Sequence, residues 1–212
     1  MLNFDRLPLF LFASLILLLT PGPAVLYIIA RSIDQGRVAG LVSVLSVEVG
    51  NFFHAVLAAL GLSALLLSYP MAFNIVKYLG AAYLVYLGLA KLFTRLPGAE
   101  EPAKRSEPQS LKQIFRQGLV VAVLNPKTAL FFLAFLPQFV DKSRGQVSLQ
   151  LLMLGCLFVL MAILSDGMYA LLASSAGQLL KSRSLVGWVE RYVAGFIFVG
   201  LGIAAALSGS PQ

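Results

Sequence analysis

The chain has one cysteine, Cys156, and one histidine, His54. A disulfide framework needs paired cysteines and a Cys/His metal site needs clustered ligands, so neither organises this protein, and no metal or cofactor is expected. Charge is scarce too. Only 12% of the 212 residues are Asp, Glu, Lys or Arg, against about 25% in a soluble domain, which leaves too little polar surface for a chain that dissolves in water. The charge present leans basic, to a net +7. Its Lys and Arg residues fall between hydrophobic runs and form no basic face with interleaved aromatics. Topology and lipid headgroups account for them, and no nucleic-acid partner is expected.

What the chain has in excess is apolar sequence: 59% hydrophobic residues and a mean hydropathy of +0.88. These residues come in successive runs long enough to cross a bilayer, each needing roughly 20 residues. Hydrocarbon cannot satisfy backbone N–H and C=O groups, so only helices or closed barrels cross it, and the runs are continuous rather than alternating. The expected fold is therefore all-α, a polytopic membrane protein with six spans at about 7–30, 38–66, 72–93, 117–140, 148–174 and 185–207. The first run is too long for a signal-peptide core and has no basic segment ahead of it, which marks a retained helix. The lipid bilayer is a partner, and the expected location is a bacterial inner membrane, crossed several times.

The connections are short except for 94–116, which holds Pro97, Gly98, Glu100, Glu101, Pro102, Lys104, Arg105, Glu107 and Pro108 and reads as a solvated linker. It divides a single transmembrane domain, 1–212, into a first repeat of about 1–93 and a second of about 117–212. Basic residues collect in the odd-numbered connections: Arg31 and Arg37; Lys91, Arg95, Lys104, Arg105, Lys112 and Arg116; Lys181, Arg183 and Arg191. The positive-inside bias puts those connections in the cytoplasm and both termini outside, with five spans and one re-entrant run as the main rival. The halves also resemble one another. Thr20-Pro21-Gly22-Pro23 in the first span is matched by Asn125-Pro126-Lys127-Thr128 in the fourth, and Tyr78-Leu79 with Leu87-Gly88-Leu89 by Tyr192-Val193 with Leu201-Gly202-Ile203. Three spans per half is an odd number, so the second half enters the membrane upside down. Inverted repeats interrupted at corresponding positions point to the binding site of a secondary transporter.

Proline removes a backbone donor and clashes with the preceding turn, so Pro21, Gly22 and Pro23 are expected to break the first span and Pro126 the fourth. One such break is an ordinary packing kink; two at matching positions favour a site. A charge at the centre of a membrane helix costs at least roughly 2.5–3.5 kcal/mol, and Glu48, His54, Lys127 and Asp166 lie well inside spans. Glu48 and Asn51 are three apart and share a helix face, with His54 a further three along. Counted along the helices, the breaks and the acids converge at one level. The expected substrate-binding set is Thr20, Pro21, Gly22, Pro23, Glu48, Asn51, Asn125, Pro126 and Asp166, with Asp166 and Glu48 coupling to protons. The alternative for the acids is pairing with a packing partner such as Lys127. His54 fits packing better than proton transfer. Gly40, Gly50, Gly61, Gly80 and Gly88 allow close helix approach, and Tyr69, Tyr78, Tyr192 and Trp188 suit interface anchors or packing.

The run Thr20-Pro21-Gly22-Pro23, then Ala30-Arg31-Ser32, Gln35-Gly36-Arg37 and Ala39-Gly40, resembles the N-terminal signature of the lysine exporter (LysE/RhtB) family. Gly50 to His54, Ala59 to Leu62 and Tyr78 to Gly88 fit the same pattern. So does Asn125-Pro126-Lys127-Thr128, leading through Phe131-Phe132 to Phe135-Leu136-Pro137-Gln138-Phe139. The resemblance covers essentially the whole chain and implies an exporter of amino acids or close derivatives, linked to the proton motive force. The chain departs from the family's pattern at Ser46, where Gly is frequent, and at Glu48, which is not general to it. Amino acids and protons are thus the expected partners, with neutral amino acids favoured because a basic substrate calls for more than two acids. A homo-oligomer stays open. The rival readings are an intramembrane enzyme using Glu48, His54 or Asp166, which lacks a nucleophile with a spaced base, and a non-coupled channel.

Overall fold

The computed structural model describes residues 6–62, 70–93 and 108–175, together with Phe196, Val199, Gly200, Ile203, Ala206 and Leu207. Most of the expected sixth span, residues 94–107 of the linker expected over 94–116, and Tyr69, Trp188 and Tyr192 lie outside the described residues. The described secondary structure is helical throughout, with no strand among the described residues.

Helix α1, Leu7–Leu19, is apolar along its whole length and stops where proline dictates. Pro21 disfavours a helical conformation at the residue before it, and Thr20 is extended at φ −82°, ψ 116°. Helix α2, Pro23–Leu57, starts with proline at its first position, where the missing N–H costs nothing. It is interrupted at Gly36, whose φ of 82° and ψ of −171° are readily adopted only by glycine. A Cβ placed on Gly40 would touch Ser32, whereas in a straight helix those residues would sit roughly 12 Å apart along the axis. Tyr27 and Ser46 likewise both press on Gly118. The chain thus reverses at Gly36, so α2 is a hairpin of two helices, α2a (23–35) and α2b (37–57). A π-helical turn, Ala58–Leu62, extends α2b. With 13 residues, α1 covers roughly 20 Å and falls short of a bilayer's ~30 Å core alone.

Helix α3, Pro70–Phe93, has 24 residues. Helix α4, Leu111–Val123, starts upstream of the span expected from 117, because Ser110 and Gln113 form a reciprocal capping box. Its bond partners break at Asn125, and α5, Pro126–Leu130, runs on through a π turn, Phe131–Phe135, and a 3-10 turn, Leu136–Phe139. Pro137 has no N–H to continue a regular ladder there. The axis bends by 41° between Leu111–Val123 and Pro126–Phe139. After it, Asp141 accepts hydrogen bonds from Ser143 and from Arg144, which hold its carboxyl below the usual carboxylate range. Gln150 ties the turn to α6, Val147–Ser175, by bonding Asp141 and Gly145. Helix α6 contains an apolar stretch long enough to cross a membrane, Pro23–Gly61 contains another, and the bent α4–α5 pair qualifies as one further span.

Small residues set how these helices meet. A Cβ on Gly155 of α6 would lie 2.5 Å from Ala55 Cβ on α2b, and one on Gly50 of α2b would collide with Ala122 of α4. Backbones therefore approach closely, as they do in membranes, where packing rather than water drives association. Gly61, expected to serve the same purpose, has nothing within 4 Å among the described residues. Two apolar clusters result. One is aromatic, with Phe10, Phe131, Phe132, Phe135, Phe139 and Phe158; the other is built of Ala24, Ile28, Val44, Val47, Ala122 and Ala170.

Candidate functional site

The polar interior lies between those clusters. On α6, Asp166 falls between Phe158 and Ala162 of the aromatic cluster and Ala170 of the other. It is 3% exposed, Glu48 and Asn51 are 4% exposed and Lys127 6%. Four polar side chains from three helices are thereby withdrawn from lipid and water together.

Their partners are specific. Asn51 Nδ2 donates to Glu48 Oε2 at 3.1 Å, a contact that their three-residue spacing on α2b allows. The Glu48 and Asp166 carboxyls interact directly across the α2–α6 contact, and Asp166 also feels the Lys127 ammonium. Lys127 Nζ donates to the backbone carbonyl of Thr20 at 2.5 Å. The residue after the second break thus bonds the residue at the first. That carbonyl is free because Pro21 and the turn after it end the helix, while the Thr20 hydroxyl turns back to Ile16 O at 2.7 Å. Asn125 is occupied as a cap, with Oδ1 accepting from Lys127 N at 3.1 Å and Nδ2 donating to Thr128 Oγ1 at 3.2 Å. Among the described residues, Glu48 Oε1, Asn51 Oδ1 and Asp166 Oδ1 are buried with no hydrogen-bond partner. Three acceptors left unfilled in one place form a demand for donors, since each costs about 1–3 kcal/mol unsatisfied.

These groups border a cavity of about 20 Å³, room for a water molecule and too small for an amino acid. Of the residues expected at the site, Gly22, Asn51, Asn125 and Asp166 line it. Thr20 and Glu48 stand one contact behind, through Lys127 and through Asn51 and Asp166. Pro21, Pro23 and Pro126 are not in the lining; Pro23 is exposed, and these prolines shape the breaks. Lys127 and Thr128 also line the cavity, with Leu17, Val25 and Phe158 among its apolar walls. Lys127 had a signal in the sequence, an ionisable residue at a proline break. Nothing in the sequence, however, showed that it reaches the opposite break. His54 lies apart, its Nε2 3.3 Å from Ala122 O and its ring stacked on Phe132 at 6.2 Å.

Residues 15–209 match the LysE type translocator family. An uncharacterized membrane protein of Pseudomonas aeruginosa is 33% identical over 192 residues, 89% of each chain. The uncharacterized membrane protein YrhP of Bacillus subtilis is 32% identical over 199 residues, 91% of this chain and 94% of its own. The leucine efflux protein of Salmonella choleraesuis is 27% identical over 191 residues, 90% of each. No solved structure matches the chain. With a family match over most of its length and relatives above 30% identity across nearly their whole chains, this protein belongs to the LysE type translocator family.

Proposed function

We propose that the protein is a secondary transporter that exports neutral amino acids across a bacterial inner membrane at the expense of the proton motive force. The observation that carries this reading is the convergence of both helix breaks with the buried Glu48–Asn51–Asp166 group. A zwitterionic amino acid has two charges to place. Its ammonium offers three donors, and Glu48 Oε1, Asn51 Oδ1 and Asp166 Oδ1 are acceptors without partners among the described residues. Its carboxylate suits the start of α2a, where Pro23 at the first position and an uncapped Gly22 leave backbone N–H groups facing the break. The apolar walls suit an uncharged, hydrophobic side chain. The efflux activity named for the Salmonella relative is of the same kind.

Proton coupling follows from charge balance. Two carboxylates in contact, away from water and beside a single lysine, do not both stay ionised without a proton between them. Substrate ammonium binding at Asp166 displaces that proton; its uptake from outside resets the carrier. The wider architecture belongs to the same proposal: six spans as two inverted three-helix repeats, 1–93 and 117–212, joined by a cytoplasmic linker, with both termini outside. The tightness of the cavity means that the breaks part to admit substrate, as alternating access requires. Counterflow in proteoliposomes tests the reading. Protein loaded with unlabelled leucine should accumulate labelled leucine transiently and unaltered; flux without saturation would indicate a channel, and chemical change an enzyme.

A further inference from the structure

We propose that Lys127 is the residue that selects amino acids over amines, by binding the substrate's α-carboxylate jointly with the start of α2a. This rests on the amino-acid export reading above and adds to it the residue that reads the substrate's anionic end. Lys127 is 6% exposed and lines the cavity, which is where a charged side chain is costly unless it is used. Its ammonium is anchored at the first break by the Thr20 carbonyl. Its stem lies across Gly22, where an added Cβ would be 3.2 Å from Lys127 Cδ and 3.8 Å from Nζ. Gly22 is also the residue that caps α2a without a side chain. The lysine charge and the positive end of α2a therefore face the same point from two sides. Lys127 lines the cavity with its ammonium beside the Thr20 carbonyl and the start of α2a, which is where an incoming carboxylate would lie.

Opposite this positive pole lies a negative one. Asp166 Oδ1, Glu48 Oε1 and Asn51 Oδ1 are buried acceptors unfilled among the described residues, and Lys127 acts on Asp166 through its charge. The cavity between them is dipolar in the sense of an α-amino acid, ammonium at Asp166 and carboxylate at Lys127. An amine lacking the carboxylate fills only half of it and forgoes the contact with the positive pole. Discrimination of this type, resting on a charged hydrogen bond, amounts to about ten- to a hundredfold in affinity.

The test is ligand binding to the purified protein, read as thermal stabilisation by leucine and by 3-methylbutylamine, its decarboxylated counterpart. Wild type should be half-maximally stabilised by leucine at a concentration about ten- to a hundredfold lower than by the amine. In Lys127→Met that ratio should fall towards one through loss of leucine affinity, and Lys127→Arg should retain a preference for leucine. Should Lys127→Met fail to accumulate, Gly22→Ala carries the test, since its methyl presses on the lysine stem and should shrink the ratio in the same direction. An unchanged ratio in Lys127→Met, or in Gly22→Ala where that variant stands in, overturns the assignment. A wild type that neither binds leucine nor performs leucine counterflow removes the export reading and the assignment together; leucine counterflow with no preference over the amine removes the assignment alone.

Discussion

The hydroxyl of Tyr169 donates a 2.9 Å hydrogen bond to the backbone carbonyl of Leu19. Leu19 is the last residue of α1, so its carbonyl has no partner within the helix. Tyr169 sits one turn beyond Asp166 on α6, and one helix therefore braces the first break and presents an acid to the cavity it frames. Removing the hydroxyl should loosen the break without touching the charge. Tyr169→Phe should lower stability by about 0.5–1.5 kcal/mol, seen as a reduced unfolding temperature in detergent, while gradient-driven leucine export continues. A variant as stable as wild type would show that the bond contributes nothing to the break.

Glu48 is the second acid of the pair, bonded to Asn51 and set behind the cavity wall. Glu48→Gln keeps its shape and its bond to Asn51 but not its ability to share a proton. A smaller effect than at Asp166 is expected, with export within about tenfold of wild type, a barrier change of at most ~1.4 kcal/mol. The check is the initial rate in proteoliposomes under an imposed pH gradient. Complete loss of coupling in Glu48→Gln with coupling intact in Asp166→Asn would reverse the order of the two acids.

The contact of Gly155 with Ala55 measures how tightly α6 and α2b are joined, since a Cβ on Gly155 would meet Ala55 at 2.5 Å. Gly155→Val overpacks this contact and should cost about 1–3 kcal/mol, lowering the unfolding temperature of the purified protein. Stability equal to wild type would mean that the helices part more easily than the structure shows.

His54 contacts Ala122 and Phe132 and does not line the cavity. His54→Gln should therefore leave the pH dependence of leucine export as it is in wild type, with any deficit appearing as reduced protein yield. A shifted pH profile would place His54 in the proton route and revive the reading that made it chemically active.

The two breaks were legible because proline acts through local sterics: the motifs at Pro21 and Pro126 mark them without knowledge of the partner helices. The pairing of Glu48 with Asn51 was legible from spacing alone. The start of α4 was also present in the sequence, in Ser110 and Gln113, but it lay inside a segment whose charges and prolines suggested a linker. The Lys127 bond to Thr20 was not legible, because it joins residues from opposite halves of the chain and depends on how the halves pack. For the same reason Asn125 looked available to substrate, although its side chain is taken up by Lys127 N and Thr128. His54 follows Asn51 at the spacing that links Asn51 to Glu48, and two steps of three carry it round the helix to Phe132.

The most direct test of the account is uphill leucine export by purified protein in liposomes with an imposed pH gradient, comparing wild type with Asp166→Asn. Asn keeps the size and hydrogen-bonding capacity of Asp166 but does not titrate. Wild type should show gradient-driven accumulation and Asp166→Asn none, with leucine exchange surviving in the variant and no rescue when Lys127→Met is added. Uphill export by Asp166→Asn at the wild-type rate, or its restoration in the double variant, would contradict the proposed coupling.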